Sequence, residues 1–594
     1  MTGWRWRWVS PICVGLLVCV LAASQKPASA PESRTAPLDF QLPDVHGRLV
    51  SASDFRDRPV VVVAFLGTEC PLVNLYMPRL CQLSREYGPR GVQFVGINSN
   101  EQDDIGKIIE HVKCHNVPFP MLKDKNQKVA DLFQAKRVPE VFVLDRNRQV
   151  VYRGRIDDQY GIGYQKVKPE RQYLKDALEK ALAGKEVSER HVPAVGCFIG
   201  RSKPELVAGS VTYTREVSRI IQKHCQECHR PGHIGPFSLL TYEKTRAWAE
   251  TIREVVAERR MPPWHADPRY GKFANDRSMP EQDRATLLAW IDQGCPKGDE
   301  RDLPPPREFP DHSGWRIGKP DVVFELPQEV EIPAEAPNGV PYLYFAVPTH
   351  FTEDKWVQFA EARPGNKLVV HHIIVYIRSP GQPLQRSEDL IGNNLLVGYA
   401  PGDLPAIFPD GMAKRIPKGS TLIFQMHYTP NGTPQKDRSS VGLIFAKELP
   451  RHIVRTRSIL NRRFAIPPGH DHFRVQSSST FTRDAYLLSF MPHMHLRGKS
   501  FEYKVVYPDG RAEIVLYVPR YDFGWQTQYR LEKPLFMPAG TRIECTAHFD
   551  NSPNNPNNPD PTKTVFWGEQ TWEEMMIGWV DYYYADEKPN AGVS

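Results

Sequence analysis

The spacing of hydrophobic positions changes along this chain, and each change predicts a different architecture. Between residues 37 and 185, the apolar runs PVVVVAFLG, VQFVGINS, EVFVLD and VVYRGRI alternate with LYMPRLCQLSREYG and YLKDALEKALAG, which read as helices. Strands alternating with helices predict an α/β domain with a parallel-type sheet. Residues 186–210 read as a connector. Residues 211–297 turn helical, with YTREVSRIIQKHC, KTRAWAETIREVVAERR and PEQDRATLLAWIDQG, and predict a small all-α domain. DERDLPPPREFPDHSG follows as a proline-rich linker. From 318 to 585, short alternating runs split by Pro, Gly, Asn and Asp predict an all-β sandwich region. No short-period repeat is present.

Length and charge narrow the class. A chain of 594 residues is too long for one core and implies three to five domains. A net charge of +7 without a basic block gives no reason to expect a nucleic-acid partner. At the N-terminus, Arg5 and Arg7 precede an apolar run that ends in the small residues Ala28-Ser29-Ala30. This is a secretory signal pattern over residues 1–30, too short to span a membrane comfortably. With no later stretch of about 18 apolar residues, the mature protein is expected to be soluble, periplasmic or otherwise exported, and without a membrane span. Cys13 and Cys19 leave with that segment; the other eight cysteines are too sparse for a disulfide framework.

Each remaining cysteine is read by its own surroundings. Cys70 follows the strand VVVVAFLG and opens a helix, where the helix dipole stabilises a thiolate. Pro139 precedes the strand EVFVLD. This arrangement resembles the thioredoxin-like redoxin superfamily of thioredoxins and peroxiredoxins over about 150 residues, with Pro139 in the place of its cis-proline. Two departures weaken the enzymatic likeness. The fourth position of the thioredoxin C-x-x-C is Val73, and the threonine of the peroxiredoxin T-x-x-C is replaced by Gly67, with Thr68 displaced by one. Cys81 lies about 16 Å further along the helix, out of disulfide reach. It and Cys114 are expected to be buried as small apolar residues.

KHCQECHRPGH contains Cys225-x-x-Cys228-His229. Two thiols at this spacing can form thioethers to a haem, and the adjacent His229 then supplies an axial nitrogen. The region resembles a small cytochrome c with one covalently attached haem. Met261 in RRMPPW is the preferred sixth ligand, with Met279 and His265 as alternatives. Cys197 and Cys295 flank the region and could pair.

Three histidine clusters fall in the β region: His371-His372, His427, and His493-x-His495. Residues two apart on a strand share a face, so His493 and His495 can take one metal while Met494 turns to a core. Adjacent His371 and His372 can share a metal only at a strand end or bulge, or through different ring nitrogens.

The order of these histidines resembles the copper type II, ascorbate-dependent monooxygenases, such as peptidylglycine α-hydroxylating monooxygenase and dopamine β-monooxygenase. The resemblance covers about 270 residues. It implies two jelly-roll-like β domains, here 318–465 and 466–585, and two copper ions. His371, His372 and His427 match the electron-transfer copper. His493, His495 and a methionine in WEEMMIGW, Met575 by register with Met576 as alternate, match the oxygen-activating copper. The implied activity is hydroxylation of a substrate C–H bond with dioxygen, with electrons from ascorbate, another reductant, an electron-transfer protein or the haem. The family's substrate-binding arginine is replaced by Met491 and its tyrosine by Trp579, so an apolar small molecule is expected rather than a glycine-extended peptide. The loop FDNSPNNPNNPDP is of a kind that borders sites. Two other functions fit parts of the pattern: copper delivery or electron transfer without turnover, and thiol peroxidase chemistry at Cys70.

Overall fold

The run VVVVAF forms strand Val60–Phe65 with every side chain buried. A strand apolar on both faces must lie inside a sheet covered on both sides. It is the fourth of six strands in a sheet ordered His191–Val192, Val150–Gly154, Glu140–Leu144, Val60–Phe65, Val92–Asn98, Met121–Lys123. The computed structural model describes residues 39–166, 168–201, 210–231, 233, 235–309, 314–334, 336, 340–382, 394–400, 405–430 and 434–587. The proposed signal segment, with Cys13 and Cys19, lies outside them.

The sheet is mixed rather than parallel. Val60–Phe65 runs parallel to Val92–Asn98 but antiparallel to Glu140–Leu144. Helix Pro71–Tyr87 supplies the crossover that a parallel pair needs, whereas a tight turn joins Glu140–Leu144 to Val150–Gly154. The first core extends to Ile199, past the expected boundary at 185. His191–Val192 joins the sheet edge, and Cys197–Phe198 pairs with Arg137–Val138. Two-residue pairings of this kind carry no periodicity, so the segment reads as a connector in sequence.

Residues 213–292 form a helical unit. A π-turn at Tyr213–Val217 runs into Ser218–His224, followed by Tyr242–Ala247, Ala249–Ala257 and Glu281–Asp292. Its core is built on Tyr213, Trp248, Leu287 and Trp290. Between the last two helices, the chain leaves this core. Phe273 bridges Leu531, the Asp267 N–H donates to the Tyr517 carbonyl at 2.8 Å, and Trp264 packs edge-on to Tyr529 at 5.0 Å. The helical unit is thereby stitched to the last β unit.

The C-terminal region is largely β. Strands Leu343–Pro348, Thr421–Tyr428, Val370–Arg378 and Leu395–Tyr399 make one sheet, which shares a core with a six-stranded sheet centred on Lys355–Arg363. Further on, the sheet Arg455–Leu460, Ile577–Tyr584, Ala485–His493, Tyr529–Met537 shares a second core with Phe473–Thr480, Arg542–Phe549, Gly498–Val506, Ala512–Val518. Among the described residues, no helix is long and apolar enough to cross a membrane.

Candidate functional site

Strand Val370–Arg378 pairs with Thr421–Tyr428, setting His372 opposite His427. The register slips between Val370 and His372. That irregularity is what two adjacent histidines need to face one point. One ring nitrogen from each of His371, His372 and His427 lies within 4.8 Å of the others. Tyr342 packs edge-on against both His372 and His427, at 5.1 and 4.7 Å.

In the second sandwich, His493 ends strand Ala485–His493 opposite Ile577, and the chain turns to present His495. The two rings stand 5.2 Å apart and perpendicular. His493 Nδ1–H donates to Gln526 Oε1 at 2.7 Å, and His495 Nδ1–H to the Glu573 carbonyl at 3.1 Å. Both bonds use Nδ1 and leave Nε2 as the remaining ring nitrogen, the arrangement that second-shell partners give metal-ligating histidines. Met494 points the other way, into the core. Glu574, fully buried, accepts the backbone N–H of His495 at 2.8 Å and of Arg497 at 2.6 Å, and burial pushes its carboxyl up to about 8.

The adjacent methionines separate by face. Met575 lies in an apolar cluster with Ile577, Trp579 and Met491, on the face that carries His493. Met576 is buried in the sandwich core.

The five histidines form one constellation. Burial, then the charge of His493, pushes His371 down to about 4. Burial, then its histidine neighbours His427, His371, His493 and His495, holds His372 well below the ordinary imidazole value. His427 and His495 are depressed the same way, and burial takes His493 to about 4. Neutral imidazole is the metal-binding form. His372 Nε2, His427 Nδ1 and His495 Nε2 are buried without a hydrogen-bond partner. Phe523 lies between the two groups, 5.0 Å from the His371 ring and 5.9 Å from His495.

Beside them, Leu395, Val397, Met491, Trp579, Gln528 and Asp581 line a cavity between the sandwiches. Lys414 is buried there, 3.4 Å from Asp581, and donates to Thr456 at 2.8 Å. Ser489 and Gln528 complete the Asp581 oxygens.

In the helical unit, Cys225 caps helix Ser218–His224, and the His229 N–H donates back to the Cys225 carbonyl at 2.9 Å. Cys225, Cys228 and His229 are all half-buried. His229 Nδ1–H donates to the Phe237 carbonyl at 3.2 Å, leaving Nε2 available. Met279 is buried in the core on which Cys225 packs, whereas Met261 is half-buried just past helix Ala249–Ala257. His265 lies beside Asp522, Arg520 and Arg277.

In the first domain, Cys70 is the N-cap of helix Pro71–Tyr87, fully buried, and its thiol donates to the Val138 carbonyl at 3.2 Å. The Val138–Pro139 peptide is cis. The Thr68 hydroxyl donates to Asp103 at 2.7 Å. Cys197 stands opposite Val138 in the register of the short strand pair.

Residues 33–153 match the family model described as AhpC/TSA. The N-terminal domain is a thioredoxin-like redoxin domain. It is 32% identical over 121 residues to a peroxiredoxin Q of Oryza sativa subsp. japonica, covering 19% of this chain and 54% of the relative. It is 25% identical over 114 residues to the thiol-disulfide oxidoreductase ResA of Halalkalibacterium halodurans, covering 19% and 63%. A hypothetical protein of Sinorhizobium meliloti 1021, solved as a crystal structure, is 33% identical over 30% of this chain and 97% of its own, with a TM-score of 0.28. The chain thus spans little more than half the length of the curated relatives it matches.

Within the redoxin domain, Cys81 is buried, with its thiol pushed up to about 11 by burial. Cys114 is exposed, contrary to expectation, because its side of helix Ile105–His115 faces water while Ile108 and His111 face in. Sequence reasoning missed Gln526, Phe523, Glu574, Tyr342 and Arg497. Arg497 is the partial exception: buried arginine is rare, and here the Asn/Pro-rich loop wraps it through Asn551, at 2.9 Å from Nε.

Proposed function

We propose that this chain is an exported multidomain oxidoreductase whose β region binds two copper ions and hydroxylates a C–H bond of an apolar substrate with dioxygen. The observation that carries the reading is the gathering of five imidazoles, four buried and His371 half-buried, three of them with a ring nitrogen that no protein group satisfies. Orphaned buried nitrogens are costly unless something completes them, and imidazole suits copper in both oxidation states. His371, His372 and His427 would hold one ion. His493, His495 and Met575 would hold the other, Met575 as the soft donor. Bound copper would supply the one-electron steps by which dioxygen is reduced for C–H hydroxylation.

The chain's own residues do the positioning. Gln526 and the Glu573 carbonyl fix the His493 and His495 tautomers. Glu574 pins the backbone between them and Arg497. Met491 and Trp579 give the neighbouring cavity an apolar wall, which suits an uncharged substrate.

Cys225 and Cys228 would carry a c-type haem with His229 as axial ligand, Nδ1 already bonded and Nε2 available. That haem would supply an electron-entry point, replacing or relaying ascorbate. The docking of Trp264 and Phe273 on the second sandwich supports this. The signal-like pattern of residues 1–30 supports export.

The AhpC/TSA match supports a second activity, thiol-based redox chemistry at Cys70. Peroxide consumption abolished by Cys70→Ser would make it a thiol peroxidase.

Dioxygen uptake by the copper-loaded, fully reduced protein tests the main reading. Uptake that speeds haem reoxidation and is lost in His493→Ala supports it. Copper that exchanges freely with a chelator, with no uptake, makes the protein a copper carrier instead.

A further inference from the structure

The redoxin domain lacks the second cysteine of C-x-x-C, and Cys81 is held elsewhere, with its thiol 3.7 Å from the His115 carbonyl. The fold replaces it. Cys197, 127 positions after Cys70, sits directly opposite Val138, the residue whose carbonyl accepts the Cys70 thiol. Both remain thiols.

The segment that brings Cys197 there is fitted closely. A Cβ on Gly196 would come within 2.0 Å of the Val138 carbonyl oxygen, so only glycine allows this approach. The Ile199 N–H donates to the Lys136 carbonyl at 2.9 Å, and the Gly200 N–H to Asn100 at 3.0 Å. Arg137 donates to the Gly196 carbonyl at 2.6 Å and lies 4.0 Å over the Phe198 ring. Val138 thus has Cys70 on one side, bonded to its carbonyl at 3.2 Å from the start of helix Pro71–Tyr87, and Cys197 on the other, facing it in the antiparallel register.

We propose that Cys70 and Cys197 are a redox-active dithiol that interconverts with an intramolecular disulfide, Cys70 being the nucleophile and Cys197 the resolving thiol. The reaction partner is a small disulfide, R–S–S–R. Cys70, deprotonated, attacks one of its sulfurs, forming a Cys70–S–S–R bond and releasing RS⁻, which takes a proton. Cys197 loses its proton and attacks Cys70 Sγ, forming the Cys70–Cys197 bond and releasing the second RSH. Two electrons leave the protein, and one disulfide becomes two thiols. A small dithiol reverses the sequence.

The assignment of roles follows the surroundings. Burial opposes a Cys70 thiolate, but Cys70 caps helix Pro71–Tyr87, where the dipole and the N–H groups of Val73 and Leu72 favour the charged form. Cys197 stands on a two-residue strand with no helix N-terminus behind it. A peroxide is a poorer fit, because Thr68 is bonded to Asp103 and Arg137 is paired with Glu254 at 2.7 Å. The pair also borders the helical unit. Thr251 accepts the Phe198 N–H at 3.1 Å, and Glu254 holds Arg137, both from helix Ala249–Ala257. The disulfide would fasten the segment that this helix leans on.

The test uses the full-length chain equilibrated with glutathione disulfide and, separately, with dithiothreitol, then alkylated under denaturing conditions and digested. The oxidised wild type is expected to lose two alkylated cysteines and yield one cross-linked peptide joining Cys70 to Cys197. Dithiothreitol should restore both thiols. Cys70→Ser and Cys197→Ser should each remove the cross-link, and Cys295→Ser should leave it. Cys70 and Cys197 both alkylated after full oxidation, or Cys197 joined to Cys295, would overturn the proposal without needing any variant to fold.

Discussion

Phe523 stacks on His371 with ring centroids 5.0 Å apart and planes 23° from parallel, although the two residues belong to different sandwiches. Its edge meets His495 at 5.9 Å. One aromatic ring therefore touches both histidine groups. Replacing Phe523 with alanine is expected to preserve two copper sites and to change their binding coupling by about 0.5–2 kcal/mol. Copper titration of Phe523→Ala, alone and combined with His493→Ala, measures this as a double-mutant cycle.

Gln526 holds His493 through Nδ1 at 2.7 Å. Outer-shell partners of this kind typically account for about 10–100-fold in metal affinity. Gln526→Ala is expected to lose about that much at the His493/His495 site and little at the His371/His372/His427 site. Competition with a Cu(I) chelator on the variant and on wild type reads the difference.

Lys414 and Asp581 join the two sandwiches as a buried pair, with side chains 6% and 8% exposed. Removing one partner leaves the other charge without compensation, which costs about 3–5 kcal/mol. Lys414→Met should lower the denaturation midpoint of the β region accordingly, and Lys414→Met with Asp581→Leu should recover part of the loss.

His111 gives the redoxin domain an acid limit. Burial, then the neighbouring His115, takes its pKa from 6.5 to about 4. Between those values the unfolded chain binds more protons than the folded one, so stability falls as pH drops through that window, by up to about 3 kcal/mol. Above pH 6.5 this group adds no pH dependence. Denaturant titrations of the redoxin transition from pH 7 to pH 4 should show the slope, and His111→Asn should flatten it.

The sequence is most legible where chemistry and periodicity coincide. VVVVAF announces a buried strand, and H-x-H announces two neighbouring imidazoles, although His495 lies past the strand end and a turn, not strand period, brings it beside His493. The separation of Met575 and Met576 between an apolar cluster and the core was not readable from strand period, because both precede strand Ile577–Tyr584. Sheet direction was less legible, since apolar runs say nothing of polarity and the antiparallel return of Glu140–Leu144 depends on a turn. The partners of the site were illegible for a different reason. Gln526, Phe523 and Tyr342 lie in irregular stretches and act only through tertiary contacts. Cys197 is the strongest case, because nothing in its neighbourhood connects it to Cys70; only the pairing of two-residue strands does.

The most direct measurement is metal and haem content of the mature protein, for wild type and His493→Ala. Two coppers and one haem per chain, falling to one copper in the variant, is the result expected of two mononuclear sites fed by a c-type cytochrome. One haem and no copper in the wild type would contradict the monooxygenase reading and leave the five histidines to another ligand.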